Sequence, residues 1–166
     1  MSATYKPQAG HKFKAYINTA THTTPTWLEV GEIGDLSISD LSRSLAELKR
    51  RANEFTKNLP SVINSITTEF RLHFGLGRTA YDLIRASFFT GTVYEWAFMN
   101  GAIATNGHQG LTLPMVTSNF PMDQGLENAA GHDVQLAVGY MEEAHGEIDP
   151  YWFVVGTTTT TTTTTT

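Results

Sequence analysis

The sequence predicts a mainly β chain of the α+β class: a β-sandwich or partial barrel with one packed α-helix. Three observations lead there. Apolar and polar residues alternate with a period of two in several short runs, and Gly, Pro and Asn punctuate the gaps between them. The stretch around 79–89 has helical apolar spacing with a start and a stop signal. The chain has 166 residues and no cysteine, a length at which folding buries about 70% of the unfolded surface, so no disulfide or thiolate metal staple is required.

In HKFKAYIN, Phe13, Ala15 and Ile17 alternate with Lys12, Lys14 and Tyr16, which reads as a half-buried strand. TWLEVGEIGDLSIS reads as two short strands, 27–32 and 35–39, with a bend or bulge around Gly31 and Gly34. The next segment, SISDLSRSLAELKRRANEF, has two readings. Leu41, Leu45 and Leu48 recur at i, i+4 and i+7, and Ser44 with Glu47 imitates a capping box, so periodicity favours a helix. The other reading is an extended arm with Ala46, Leu48 and Arg50 on one side and Glu47, Lys49 and Arg51 on the other.

INSITTEFRLHF is the clearest strand, with Ile66, Thr68, Phe70, Leu72 and Phe74 on one face and Thr67, Glu69, Arg71 and His73 on the other. In GLGRTAYDLIRASFFTG, Thr79 and Asp82 have capping-box spacing, Ala80, Leu83, Ile84 and Phe88 form an apolar stripe, and Gly91 is the stop. TVYEWAFMNG reads as an aromatic-rich strand ending in a two-residue Asn100-Gly101 hairpin turn. LTLPMVTSNF and HDVQLAVGYM supply two more strands, Pro114 marking the former as an edge or bulged strand. PYWFVVG is a last extended piece. The expected core comprises Phe13, Ile17, Phe70, Leu72, Leu83, Phe88, Val134 and Leu136.

The ten threonines at 157–166 read either as a free disordered tail or, because threonine is β-branched and strand-prone, as a segment ordered by a neighbouring subunit. A dense hydroxyl run is also an O-glycosylation candidate. The expected organisation is one domain, 1–156, with a helix at about 79–89, followed by the threonine extension at 157–166.

All eleven Lys and Arg lie at or before Arg85, whereas eight of the sixteen acids follow it, so the net charge of −5 divides into +3 and −8. Such polarity suits a chain that meets a complementary copy of itself. One basic triplet, Lys49 to Arg51, in a net acidic chain gives little counterion release, and no RNP, KH or helix-turn-helix pattern accompanies it, so stable nucleic-acid binding is not expected. No secretory signal is read at the N-terminus, and no apolar run approaches the length of a membrane span.

Catalytic and metal chemistry find little support. Glu142 and His145 have E-x-x-H spacing, but Gly146, Asp149 and Pro150 surround them with turn chemistry, so an acidic surface turn is the better reading. His108 lies in a Gly-rich loop and His73 on the polar face of its strand. There is no G-x-S-x-G, no Walker A loop and no G-x-G-x-x-G. No catalytic residue, metal site or cofactor is expected.

The order of segments resembles one family, the tail tube proteins of tailed bacteriophages, particularly the long non-contractile kind. TWLEVGEIGDLSIS is similar to that family's opening strand pair, W-x-E-(I/V)-G-x-(I/V)-x-D-L-(T/S), and LAELKRRANEF to its segment ending in T-R-A-N, matched here at Arg51, Ala52 and Asn53. LPSVINSITTEFRLHF, the single helix with FFTGTVYEWAFMNG, and HDVQLAVGY follow in the family's order. The resemblance covers roughly residues 10–141; IDPYWFVVG and the threonines lie beyond it.

The resemblance implies a structural virion protein, not an enzyme, whose six copies form rings that stack into a hollow tail tube, a conduit for DNA ejection. It turns ELKRRANEF into part of an extended β-hairpin arm at about 39–60 that forms a subunit interface, overruling the local helix, with Leu45, Leu48, Lys49, Arg50, Arg51, Asn53, Phe55 and Leu59 as the contact residues. The family's bores tend to be acidic, and the basic Lys49, Arg50 and Arg51 depart from that. Pairing with the acids of an adjacent subunit is the reading that accommodates them. Implied partners are the chain itself, a tape-measure protein, a tail terminator and a baseplate or tip protein, with DNA passing without stable binding, no membrane, and assembly in the host cytoplasm. The alternatives are the inner tube of a contractile tail or injection machine and a surface-attached β-sandwich binding module.

Overall fold

The computed structural model describes residues 13–31, 33–39, 43–48, 57–63, 66–74, 78–123, 130–144 and 146–156. In chain order the elements are β1 (Lys14–Asn18), β2 (Trp27–Glu29), β3 (Ile33–Ser39), β4 (Arg43–Leu48), β5 (Lys57–Ile63) and β6 (Thr67–His73). Then come the helix α1 (Thr79–Thr90), β7 (Tyr94–Met99), β8 (Gln109–Asn119), β9 (Met122–Asp123), β10 (Gly131–Val138), β11 (Glu142–Glu143), β12 (Gly146–Glu147) and β13 (Tyr151–Val154). This is a mainly antiparallel β chain with a single helix among the described residues, the class the sequence predicts. It forms two compact units, one of Met1–Gly31, Val93–Pro114 and Tyr140–Thr166, the other of Glu32–Thr92 and Met115–Gly139.

In the first unit the strand order is β2-β1-β7-β8, with β13 also paired to β8. β1 lies antiparallel to β7 from Lys14↔Met99 to Ile17↔Trp96. The predicted alternation does not hold in β1, because Ala15, Tyr16, Ile17 and Asn18 are all buried. Both faces are covered, as they are along Glu95 to Met99 of β7, and a strand covered on both faces loses its period-two signature. Phe13, expected in the core, is 51% exposed because it lies beyond the last pair with β7. Tyr16, Ala97 and Met99 pack with Trp27, Ile103, Phe153 and Val155. The Tyr16 hydroxyl accepts the Ile103 N–H at 3.2 Å, which satisfies the one polar atom of a buried ring.

Asn100-Gly101 does not form a two-residue turn. Asn100 closes the ladder with Gln109: its N–H donates to the Gln109 carbonyl at 2.9 Å and its Oδ1 accepts the Gln109 N–H at 2.8 Å. The longer loop 101–108 folds inward, where the His108 ring meets Gly101 so closely that a Cβ there would overlap it. His108 Nδ1 bonds the Ala102 carbonyl at 2.9 Å, so this histidine organises a loop. Gly101 is required by that close approach rather than by the geometry of a tight turn.

In the second unit the order is β8-β10-β6-β3, with β9 also on β10. β6 alternates as predicted, with Ile66, Thr68, Phe70 and Leu72 buried and Glu69 and His73 exposed; Phe74, past the strand end, is exposed. Val134 and Leu136 of β10 are buried on the register Val134↔Phe70 and Leu136↔Thr68. β3 joins β6 with a register shift between Ile33 and Leu36, the bulge that Gly34 suggests. Pro114 falls between the two partner registers of β8: Gln109 to Thr112 pair with β13, and Met115 to Asn119 with β10. The ladder is interrupted there anyway, so a residue without an N–H costs nothing.

Helix α1 ends as expected at Gly91, which adopts φ 70° and donates its N–H to the Ser87 carbonyl. Its start differs from the prediction. Arg78 is the extended N-cap, without a side-chain cap bond, and Thr79 is already helical; Asp82 pairs with Arg85 at 3.1 Å. The buried face is Tyr81, Ile84 and Ser87, not Ala80, Leu83, Ile84 and Phe88. Hydrogen bonds to β8 explain the rotation: Ser87 Oγ accepts the Thr117 N–H at 3.1 Å and Thr117 Oγ1 donates to the Ile84 carbonyl at 3.2 Å. Docking a small hydroxyl against the sheet leaves Leu83 half-buried and Phe88 exposed, so neither is the core residue expected.

Candidate assembly surface

β4 and β5 form a two-stranded antiparallel ribbon of their own. The register runs Leu48↔Lys57, Glu47↔Asn58, Ala46↔Leu59 and Leu45↔Pro60, with an irregularity before Arg43↔Ile63. Over 43–48 the chain is extended rather than helical, so Leu45 and Leu48 do not follow their helical spacing; Leu41 lies outside the described residues. An isolated two-stranded ribbon is marginal in water, and among the described residues the outer edge of each strand has no ladder partner. Leu45 and Leu48 lie on β4 and Leu59 on β5. Lys49, Arg50, Arg51, Asn53 and Phe55 fall outside the described residues, as do His145 and the threonines 157–166.

A second feature of the same unit is an aromatic chain with exposed ends. Phe89 packs edge-on against Phe88, Phe88 stacks towards Phe120 at 6.1 Å, Phe120 stacks on His132 at 4.0 Å, and Phe74 lies 6.1 Å from His132. His132 is buried, whereas Phe88 is 39% and Phe89 76% exposed. Exposed large apolar groups in a cluster mark contact surfaces more often than isolated ones do. Sequence reasoning assigned Phe88 to the core and did not single out Phe89; the available signal was the Phe88-Phe89 pair, which cannot both face inward from one helix.

The first unit carries its own polar centre. Glu95, in the middle of the otherwise apolar YEWAFM strand, is 1% exposed and bonded to Asn18, His22 and Tyr151. Sequence reasoning missed it, although a single acid inside such a run was the signal. Glu142, weighed beside His145, instead accepts the Tyr140 hydroxyl at 2.6 Å, and that bond to a carboxylate holds the phenol above its ordinary pKa. Among the described residues no three His, Asp or Glu side chains are grouped to hold a metal ion, and no helix is long and apolar enough to cross a membrane.

No protein-family model and no curated protein matches the chain. Solved structures do. The tail of an empty gene transfer agent particle, with C6 symmetry, is 12% identical with a TM-score of 0.61, over 80% of this chain and 95% of that one. The SPP1 tail tube gives 12% identity and a TM-score of 0.61, over 80% of this chain and 76% of that one. A chain from the sheath–tube complex of an extracellular contractile injection system gives 11% identity and a TM-score of 0.59, over 92% of this chain and 95% of that one. With its antiparallel sheet, single helix and separate two-stranded ribbon, the chain has the tail tube protein fold.

Proposed function

We propose that the chain is the repeating subunit of a tail tube: a structural virion protein, without catalytic activity, whose copies close into hexameric rings that stack around a channel for DNA. The observation that carries this is the β4–β5 ribbon, whose outer edges have no ladder partner among the described residues, in a chain of tail tube fold. Edge strands are a liability in solution and are abolished when strands from several subunits close a barrel. A symmetric assembly gives every copy the same cover. Leu45, Leu48, Lys49, Arg50, Arg51, Asn53, Phe55 and Leu59 are the arm's contact residues in this reading, and Lys49 to Arg51 meet acids of the strongly acidic C-terminal part on an adjacent copy. A tape-measure protein inside, and terminator and baseplate or tip proteins at the ends, are the expected partners.

A second reading, the inner tube of a contractile injection machine, is favoured by one observation. The contractile injection structure matches 92% of this chain, the gene transfer agent tail and SPP1 tube 80%.

Replacing residues 41–59 by a short Gly/Ser linker tests the arm. The expected product is a folded, soluble monomer by circular dichroism that gives no tubes by electron microscopy, whereas the intact chain gives tubes with six-fold end views. Normal tubes from the arm-less chain would sink the assignment of the arm. Isolated globular particles from the intact chain at every concentration would favour the binding module.

A further inference from the structure

The sheet β8-β10-β6-β3 of the second unit has two unlike faces. One carries Thr68, Phe70 and Leu72 of β6 with His132, Val134 and Leu136 of β10, all buried. Helix α1 closes on that face through the Tyr81 hydroxyl, 2.7 Å from His132 Nε2, and through the bonds of Ser87 and Ile84 to Thr117. The other face is polar. Residues directly opposite one another in an antiparallel pair share a face, and the registers Ser37↔Glu69, Gln135↔Glu69 and Asp133↔Arg71 set these side chains together there. Ser37, Glu69 and Asp133 are exposed, and Arg71 and Gln135 half-buried. The strands are laced across this face: Arg71 Nη1 donates to Asp133 Oδ1 at 3.0 Å and Gln135 Nε2 to Glu69 Oε1 at 2.6 Å. Among these residues two carboxylates stand against one guanidinium, so the face leans negative.

The β4–β5 ribbon grows out of this sheet. The chain leaves it after Ser39, at the end of β3, and re-enters it at Thr67, at the start of β6; Ser39↔Thr67 is the last β3–β6 pair, and Arg43↔Ile63 belongs to the ribbon. We infer, on the strength of the ring-closing arm proposed above, that the polar face of β3, β6 and β10 is the wall of the DNA channel, with the Arg71–Asp133 bond holding the wall's cation away from passing phosphates. Arms that join adjacent copies into one barrel carry the β3–β6 pair, from which they extend, into the same wall. The apolar face of that sheet is already filled by the chain's own helix and core, which leaves the polar face to meet the water of the channel. DNA is held by Lys and Arg that neutralise phosphates and release counterions. A guanidinium bonded to a carboxylate on the next strand has its charge matched already, and the surplus carboxylate repels a polyanion. The occupant this wall fits is double-stranded DNA that slides past and is not retained.

The chain has no cysteine, so a single introduced thiol reports one position. Ser37→Cys and Gln135→Cys, each in the full chain, are assembled into tubes and treated with a small maleimide and with a maleimide carried on a gold particle too wide for the channel. The small reagent should label the tubes and the wide one should leave their walls bare, while dissociated subunits take both. Gold along the walls would put the face outside, and tubes that refuse both reagents would bury it between copies; either result overturns the inference. So would tubes from the wild type and none from either variant, since the face would then be a contact between copies. A wild type that forms no tubes would instead strike the proposed function itself. For the cation, short double-stranded DNA is sedimented with tubes. Asp133→Asn, at a side chain that is 65% exposed, should bring more DNA into the pellet than the wild type does, more so in low salt than in high salt, and adding Arg71→Gln should remove the gain. No gain, a gain that survives Arg71→Gln, or an Asp133→Asn chain that forms no tubes would overturn the role of the Arg71–Asp133 bond.

Discussion

His132 is 1% exposed, its ring stacked on Phe120 and its Nε2 2.7 Å from the Tyr81 hydroxyl. Burial pushes the imidazole below its ordinary value, with the Pro121 carbonyl pulling the other way, and burial pushes the Tyr81 phenol up. The folded state therefore holds His132 neutral over a range in which the unfolded chain binds the proton. Its contribution is fully present above the ordinary histidine value and is lost as pH falls from there through the lower folded value, because the unfolded state takes up more protons in that window. His132→Gln keeps an acceptor for Tyr81 but does not titrate. Denaturant midpoints followed from neutral to mildly acid pH should show the wild type losing stability faster than His132→Gln, by at most about 1.4 kcal/mol per pH unit for one proton. Parallel curves would remove His132 from the account. The same cost of unpaired burial explains why Glu95 and Ser87 each have partners from other elements.

At the scale of elements, the β4–β5 ribbon illustrates a contest between local and non-local preference. The leucine spacing of this stretch satisfies a helix, whereas the pairing of β4 with β5 satisfies backbone groups between the two strands. If the basic residues after β4 meet acids on another copy, the contact is electrostatic and screened over about 10 Å at 0.1 M salt. Arg50→Glu with Arg51→Glu should then leave circular dichroism unchanged and reduce the sedimenting polymer, more strongly in low salt than in high salt. Equal polymer yields across salt would assign those arginines to solvent. Helix α1 makes a related point: its buried face follows the hydrogen bonds of Ser87 and Thr117 to the sheet and not the most apolar stripe.

For the molecule as a whole, the proposed tube would make stability a property of the assembly, because each copy would cover edges and apolar surface of its neighbours. The threonines 157–166 follow β13, whose last residues before Gly156 remain tied to the 107–108 turn through Val155. Removing 157–166 should therefore leave the subunit folded. If the threonines pair with a neighbour, the truncated tubes should melt or dissolve in denaturant earlier than full-length tubes, while the circular dichroism of dissociated subunits is unchanged. Superimposable tube curves would make the run a free appendage.

The sequence alone determined the fold class, the single helix with its Gly91 stop, the alternating strand β6, and the extended strands β10 and β13, because each of these has a local period or breaker that its neighbours do not contradict. Resemblance to a family, rather than periodicity, pointed to extended backbone where β4 and β5 lie. Tertiary structure alone decided the rest. Phe13 and Phe88 lie outside the core because nothing in the described chain packs over the end of β1 and because α1 docks through Ser87. Tyr16 is buried beside Ala15 because both faces of β1 are covered, and Asn100-Gly101 opens into a loop because His108 folds onto Gly101. Buried Glu95 bonds Asn18 and Tyr151, 77 and 56 positions away along the chain. No local pattern encodes a meeting at such separation; it follows only once the strands have set their register.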